Sequence, residues 1–298
     1  MKPSRFAYHR PSSVADAVAT LHAHDGTARV LAGGQSLVPM LNMRLWRPDA
    51  LVDINEIDDL DHVDVEGERT VIGALVRYST VERSEVLAER LPLLVEMVGH
   101  IGDRQVRNRG TIGGAVVQAD PTGEVVLACQ VLDATAVVQS VSGSRRIPAT
   151  ELYDGAYSTE LAPDEMVTAV EFGPAPRHHA FGEICRKHND FALVSVAVCG
   201  DRTADGTWHN VRVGLGGVAD TALRLTEAEA LLNGTRLEDQ DIAPAAALAV
   251  EAIDPPSDVR ASAEYRRYLT PIQIERVLRD LRSRADIAHT DTTRAGEL

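Results

Sequence analysis

The chain has 298 residues, with 30 Lys and Arg against 44 Asp and Glu, for a formal net charge of −14; apolar residues make up 44% and charged residues 25%. This is the composition of a globular protein with enough apolar residues for a sizeable core, and the length corresponds to roughly two domains at about 150 residues each. The acidic balance argues against the basic face of a nucleic-acid or anionic-membrane binder, and aromatics at only 4% leave few platforms for base stacking.

From the N-terminus, MKPSRFAYHRPSS lacks the apolar core of a signal peptide, and no apolar run approaches the ~20 residues of a membrane span. A cytoplasmic location is therefore expected. Ser12 or Ser13 can cap a helix over VADAVATLHAH, whose apolar residues recur at helical spacing. ARVLAGG reads as a short buried strand entering a glycine turn, followed by the helix-compatible LVPMLNMRL. ALVDINEI reads as a second strand, and DHVDVEGERTVIGALV as a polar-tipped hairpin. Ser84 to His100 is helical in pattern, with Pro92 at a start or a kink. NRGTIGGAV is a second glycine turn, EVVLACQVLDA a helix, and TAVVQSVSG with RRIPATEL a strand, a turn and a strand end.

The Pro-rich, polar PAPRHH, Pro174 to His179, marks a domain boundary. Three strands are expected beyond it, in FGEICRKH, ALVSVAVCGD and TWHNVRVGLGG. Helices are expected at TEAEALLNG and from Ile242 to Ile253, with a last one in SAEYRRYLTPIQIERVLRDLRSR interrupted at Pro271. The polar tail from Ala288 is expected to fray. The order of elements implies an α+β architecture.

Two features carry chemistry. Ala32-Gly33-Gly34-Gln35-Ser36 follows a strand and precedes Leu37. Its paired glycines permit positive φ and close approach of a ligand, and successive N–H groups in such a turn form an anion-binding nest. An ordinary tight turn is the alternative reading. Gly110-Thr111-Ile112-Gly113-Gly114-Ala115 has the same character. Two such loops can hold the halves of a diphosphate through backbone N–H groups, without a lysine.

Together, AGGQSLVPMLNMRL and QVRNRGTIGGAV…ADPTGEVVLACQVLDA resemble the FAD-binding medium subunit of the molybdenum hydroxylases, of the aerobic carbon monoxide, xanthine and nicotine dehydrogenase type. The resemblance spans nearly the whole chain. It implies a PCMH-type FAD-binding domain over 1–175, divided near 57 into two subdomains (1–57 and 58–175). It further implies a smaller α+β C-terminal domain over 176–287 and a disordered tail over 288–298. It implies that the flavin diphosphate lies between Ala32–Leu37 and Gly110–Ala115. Glu124 falls where relatives carry an acid near the ribose or diphosphate, and Leu161 at an apolar position near the cofactor. ICRKHNDFALVSVA resembles the segment closing over the isoalloxazine, with Arg186 and Lys187 as its basic pair and Phe191 beside the ring. Where relatives often carry Asn or His, this chain has Ala115, Gln35 and Gln118, which removes polar side chains but leaves the backbone donors in place. Glu124 also suits a helix start, Phe191 a core position, and Arg186 with Lys187 a surface pair.

The resemblance implies an oxidoreductase subunit that passes electrons from [2Fe–2S] clusters through FAD to an external acceptor. Molybdopterin and the clusters would lie on a large and a small partner subunit, in a heterotrimer that forms a dimer of heterotrimers. No catalytic acid or base and no metal ligand is expected in this chain. A standalone FAD oxidase or dehydrogenase, and a scaffold without FAD, remain open.

Other features point elsewhere. GLGGVA at 214–219 fits a loose dinucleotide pattern, but no helix starts within it. The histidines His22, His24, His178 and His179 lack companions at metal spacing. Cys129, Cys185 and Cys199 are too few and scattered for a disulfide framework, and Cys185 and Cys199 sit in apolar strands. Arg104, Arg107 and Arg109 precede the second loop, as diphosphate helpers or as ion-pair partners.

Overall fold

A computed structural model describes residues 2–187 and 189–295. The chain forms two compact units. The first comprises the chain up to Arg90 together with Ile101–Asp120 and Leu132–Pro174; the second comprises Leu91–His100, Pro121–Val131 and the chain from Ala175 onward.

In the first unit, the strands Ala7–His9, Ala50–Asp53 and Ala28–Leu31 form a parallel sheet in that spatial order. Ala50–Asp53 is central and buried at every position. That burial is why it reads as an apolar run without alternation. The helix Val14–Ala23, capped by the Ser13 hydroxyl accepting from the Asp16 N–H at 3.1 Å, turns Ala17, Val18 and Leu21 toward Ala28, Ala50 and Val52. An antiparallel sheet follows in the order Val63–Glu66, Arg69–Gly73, Met166–Phe172, Thr135–Ser140, Gly143–Pro148. Its first two strands are the hairpin expected from sequence, turned at Gly67 with φ +65°.

The second unit is an antiparallel meander of His178–Ile184, Val194–Arg202, Trp208–Gly216 and Leu223–Arg224. The helices Thr226–Leu232, Asp239–Ala249 and Ala263–Ala295 follow it. The helix Glu124–Val131, from the first half of the chain, belongs here and is buried at every residue from Val125 on. Gly214 makes room for it: a Cβ there would strike Val131 and come within 2.8 Å of Leu127 Cδ1. Arg212 and Arg224 donate to the carbonyls of Val131 and Gln130 at 3.2 and 3.3 Å, satisfying acceptors that a helix end leaves open. The GLGG stretch is thus a strand end packed under a helix, and no helix begins until Thr226.

Two expectations about helices change, and the packing adds a third finding. The Ser84–His100 pattern is two helices, Glu85–Arg90 and Pro92–Val98, with Pro92 at the first helical position, where its missing N–H does no harm. Packing does not follow chain order throughout: Leu91–His100 and Pro121–Val131 pack with the chain from Ala175 onward. The final helix is not interrupted at Pro271 and continues to Ala295, through most of the stretch expected to fray; 296–298 lie outside the described residues. Buried Leu269, Thr270, Gln273, Ile274, Val277, Leu278 and Leu281 hold it, so packing outweighs the lost backbone bond. No helix among the described residues is long and apolar enough to cross a membrane.

Arg266 locks this helix to the sheet. It is 2% exposed and donates through Nη1 to the Leu193 and Gly217 carbonyls at 2.6 and 3.0 Å, and through Nη2 to Asp258 at 3.0 Å. Arg266→Met strands these acceptors and is expected to lower the unfolding free energy by about 3 kcal/mol, read by denaturant titration.

Candidate functional site

The first glycine loop leaves the parallel sheet at Leu31 and enters the helix Leu37–Asn42. Gly34 takes φ +72°, which a side-chain-bearing residue rarely adopts. Gly33 has ordinary φ, and its constraint is space. A Cβ there would land on the Arg109 carbonyl and lie 3.0 Å from the Gly110 Cα. The two loops expected to act together are thus in direct backbone contact. The N–H groups of Gly33, Gly34, Gln35, Ser36 and Leu37 find no acceptor among the described residues. Gln35 folds its amide back to the Gly33 carbonyl at 3.2 Å, and the Ser36 side chain does not cap the helix it precedes. Gln35 and Ser36 are exposed. Five consecutive donors without acceptors match what an anion with several oxygens requires.

The second loop differs from its sequence reading. All of its N–H groups but that of Thr111 are already bonded: Gly110 to Val106, Ile112 to Val76 and Gly113 to Ala74 carbonyls at 2.7, 3.0 and 3.0 Å, Gly114 to the Thr111 hydroxyl at 3.1 Å, and Ala115 to the Thr111 carbonyl at 3.0 Å. It leaves fewer donors open than the first loop does. Its glycines serve packing: a Cβ on Gly113 would meet Ala74 Cα at 2.9 Å, and one on Gly110 would strike the Tyr78 ring. Thr111 caps the helix Ile112–Gln118, and Gln118 Nε2 reaches Met40 Sδ at 3.9 Å, so the helices that follow the two loops also touch.

Residues that sequence reasoning missed tie the loops together. The Asn55 Nδ2 donates to the Ala32 carbonyl at 2.9 Å, and its Oδ1 accepts from Arg77 Nη2 at 2.6 Å. Arg77 Nη1 donates to the Arg109 carbonyl. Asp53 orients Asn55 by accepting from its N–H at 3.0 Å and from its Nδ2 at 2.5 Å, and also accepts from the Tyr8 hydroxyl. Burial works against the charge of Asp53, but the bonds from Tyr8 and Asn55 prevail and hold the carboxyl below its usual range. The one signal available in sequence was DIN at the end of a buried strand.

The other expected residues are placed as follows. Leu161, half-buried, lies on the turn before Met166–Phe172 and is not among the groups packed on the loop glycines. Glu124, Lys187 and Phe191 belong to the second unit. Glu124 starts the buried helix. Lys187 is exposed, as is Arg186, which donates to the Val259 carbonyl at 3.3 Å. Phe191 is not core: it is 51% exposed, with the Arg260 guanidinium 4.5 Å from its ring centroid. Arg107 forms an ion pair with Glu82 at 3.0 Å.

The second unit also holds a half-buried cluster. His100 Nδ1 lies 3.3 Å from Glu183, which raises the histidine above its ordinary value despite burial. Burial first, and Glu183 second, push the Cys185 thiol up to about 12. Burial alone takes Cys129 to about 12. Among the described residues no group of three or more His, Cys, Asp or Glu side chains can hold a metal ion.

Comparison with known proteins identifies the family. A family described as "FAD binding domain in molybdopterin dehydrogenase" matches residues 4–175, and "CO dehydrogenase flavoprotein C-terminal domain" matches 179–281. The chain is 37% identical over 280 residues to the 6-hydroxypseudooxynicotine dehydrogenase complex subunit alpha of Paenarthrobacter nicotinovorans, covering 93% of this chain and 95% of that one. It is 37% identical over 287 residues to the carbon monoxide dehydrogenase medium chain of Afipia carboxidovorans, covering 96% and 99%. Among solved structures, a chain of Cu,Mo-CO dehydrogenase superposes with a TM-score of 0.92 at 37% identity, covering 95% of this chain and 100% of that one. A chain of quinoline 2-oxidoreductase from Pseudomonas putida superposes with a TM-score of 0.91 at 32% identity, covering 96% and 99%.

The His100–Glu183 contact sets a pH dependence. A raised folded-state pKa stabilises fully below the unfolded value near 6.5, and the contribution fades as pH rises through the higher folded value. The stability difference between wild type and His100→Gln is expected to be largest at about pH 6 and to shrink toward about pH 9 in denaturant titrations. A difference that grew with pH would refute the ion pair.

Proposed function

The chain belongs to the family of FAD-binding subunits of the molybdopterin dehydrogenases, and from that premise we propose that it holds FAD by its diphosphate on the first glycine loop, as the electron-transfer subunit of a molybdenum hydroxylase. The observation that carries this reading is the row of five N–H groups from Gly33 to Leu37 without acceptors, backed by a glycine-packed second loop. The residues present fit the group: they offer oxygen-binding donors and close backbone approach.

In this reading Ala32, Gly33, Gly34, Gln35, Ser36 and Leu37 bind the diphosphate. Gly110, Thr111, Ile112, Gly113, Gly114 and Ala115 form the wall that keeps the first loop open, with exposed Gly114 as its accessible edge. Glu124, Leu161, Lys187 and Phe191 are assigned to the ribose and ring by resemblance. The chemistry that bound FAD supplies is electron storage between an iron–sulfur donor and an external acceptor. The chain itself binds and orients, and no side chain is required to move a proton.

Relatives are described as medium chains, medium subunits or complex subunits. We assign this chain the same place, beside a large molybdopterin subunit and a small [2Fe–2S] subunit, in a dimer of heterotrimers. A cytoplasmic setting fits its three free cysteines, two of them buried.

Gly33→Val and Gly113→Val are expected to abolish flavin retention. The added side chains strike the Arg109 carbonyl and Ala74, respectively, and push the loops apart. The visible spectrum of the purified complex reads this directly: flavin bands in wild type and none in either variant. Wild-type FAD content in both variants would remove the loops as the diphosphate site. Turnover of a small organic substrate by the isolated chain would support a standalone oxidase instead. A wild-type complex that takes up no FAD would mark a scaffold.

A further inference from the structure

Arg77 lies outside both glycine loops yet is bonded to the chain beside each of them. Its guanidinium is half-buried, and each of its hydrogen bonds goes to a neutral acceptor: the Arg109 carbonyl and the Asn55 amide oxygen, the latter at 2.6 Å. Among the described residues no carboxylate lies within ion-pair distance of it. Asp53 and Asp61 act on it only from further away. Burial lowers its proton affinity from the ordinary value, and the charge of Arg109 works in the same direction. An arginine nevertheless stays protonated in a protein. A partly desolvated cation thus sits beneath loops that also present five N–H groups without acceptors.

The connections are equally specific. One face of the guanidinium reaches the backbone just before the second loop, and the other, through Asn55, reaches the Ala32 carbonyl at the start of the first. The planar fork of arginine can bond two acceptors in fixed directions at once, and lysine cannot. We propose that Arg77 is a positioning residue for the cofactor's diphosphate: it fixes the spacing of the two loops, and its unpaired charge favours the anion that the first loop receives. This inference rests on the reading of that loop as the diphosphate site.

Three variants separate spacing from charge. Arg77→Met removes both. Asn55→Asp keeps an acceptor for Arg77 and pairs its charge, but loses the donor to Ala32. Arg77→Lys keeps the charge and loses the fork. Each is compared with wild type in the full complex after flavin removal. Titration with FAD, followed by flavin fluorescence, gives Kd at low and high salt, and thermal unfolding of the flavin-free protein reports stability. Kd is expected to rise about tenfold or more in Arg77→Met and Asn55→Asp and less in Arg77→Lys, with salt dependence weakened wherever the charge is lost or paired. A merely structural role would lower the unfolding midpoint but leave the salt dependence of Kd unchanged, and that result overturns the proposal. So does a Kd within about twofold of wild type in Arg77→Met and Asn55→Asp. If Arg77→Met does not fold, the other two variants decide. Gly33→Val runs as the control. If it loses FAD while the Arg77 and Asn55 variants bind normally, only this inference fails. If it also binds normally, the loop assignment itself falls.

Discussion

The first unit is organised around a contact that has no side chain in it. Gly33 lies against the Arg109 carbonyl and the Gly110 Cα so closely that no other residue fits. Everything around it maintains that approach. The parallel sheet delivers Ala32 from Leu31, and the central strand Ala50–Asp53 delivers Asp53 and Asn55 alongside. The end of the hairpin delivers Ala74, Val76 and Arg77 to the second loop through backbone and side-chain bonds. Backbone contacts of this kind tolerate little change, because protein interiors are close-packed and transmit strain.

The loops look alike in sequence and do different work. Both are glycine-rich and followed by short helices, yet the first leaves its N–H groups open and the second bonds nearly all of its own. The difference comes from neighbours. Val76 and Ala74 offer carbonyls to the second loop, whereas the groups around the first, Asn55 and Gln35, act as donors to its carbonyls. A donor aimed at a carbonyl leaves the N–H side of a loop free. A chain of net charge −14 thus presents a row of open backbone donors without a lysine among them, because oriented peptide dipoles, not side-chain charge, set the local field of such a loop.

Much of this was legible in the sequence. The strands around ARVL and ALVD, the hairpin, the helix EVVLACQV and the later strands all follow from local apolar patterns and turn residues. So does the pairing of the two glycine loops, once both are read as ligand-facing. The unread parts depend on long-range packing. Nothing in Glu124–Val131 announces that this helix joins the later unit, because a helix buried on all sides carries no stripe to show which partner it meets, and the apolar stripe of Pro92–Val98 does not name its partner either. Pro271 breaks a local rule that the buried residues around it override. The loop glycines were singled out for positive φ and for close approach of a ligand; of Gly33, Gly34 and Gly113 only Gly34 takes positive φ, and the other two are required by lack of space. Arg77 was invisible because its partners are a carbonyl and an amide, and neither leaves a mark in composition or spacing.

The cysteines bear on what the chain can do unaided. Electron transfer through a protein's own groups would draw on thiols held as reactive thiolates, near cations and open to solvent. Here Cys129 is buried and pushed to about 12. Cys185 reaches about 12 through burial and the neighbouring Glu183. Cys199 is buried in a strand whose first seven residues are all buried. These environments favour the inert thiol, the reverse of what a redox-active pair requires. The devices of the first unit are of another kind: glycines where two backbones approach closely, N–H groups left without acceptors on the first loop, and a half-buried Arg77 bonded beside both loops.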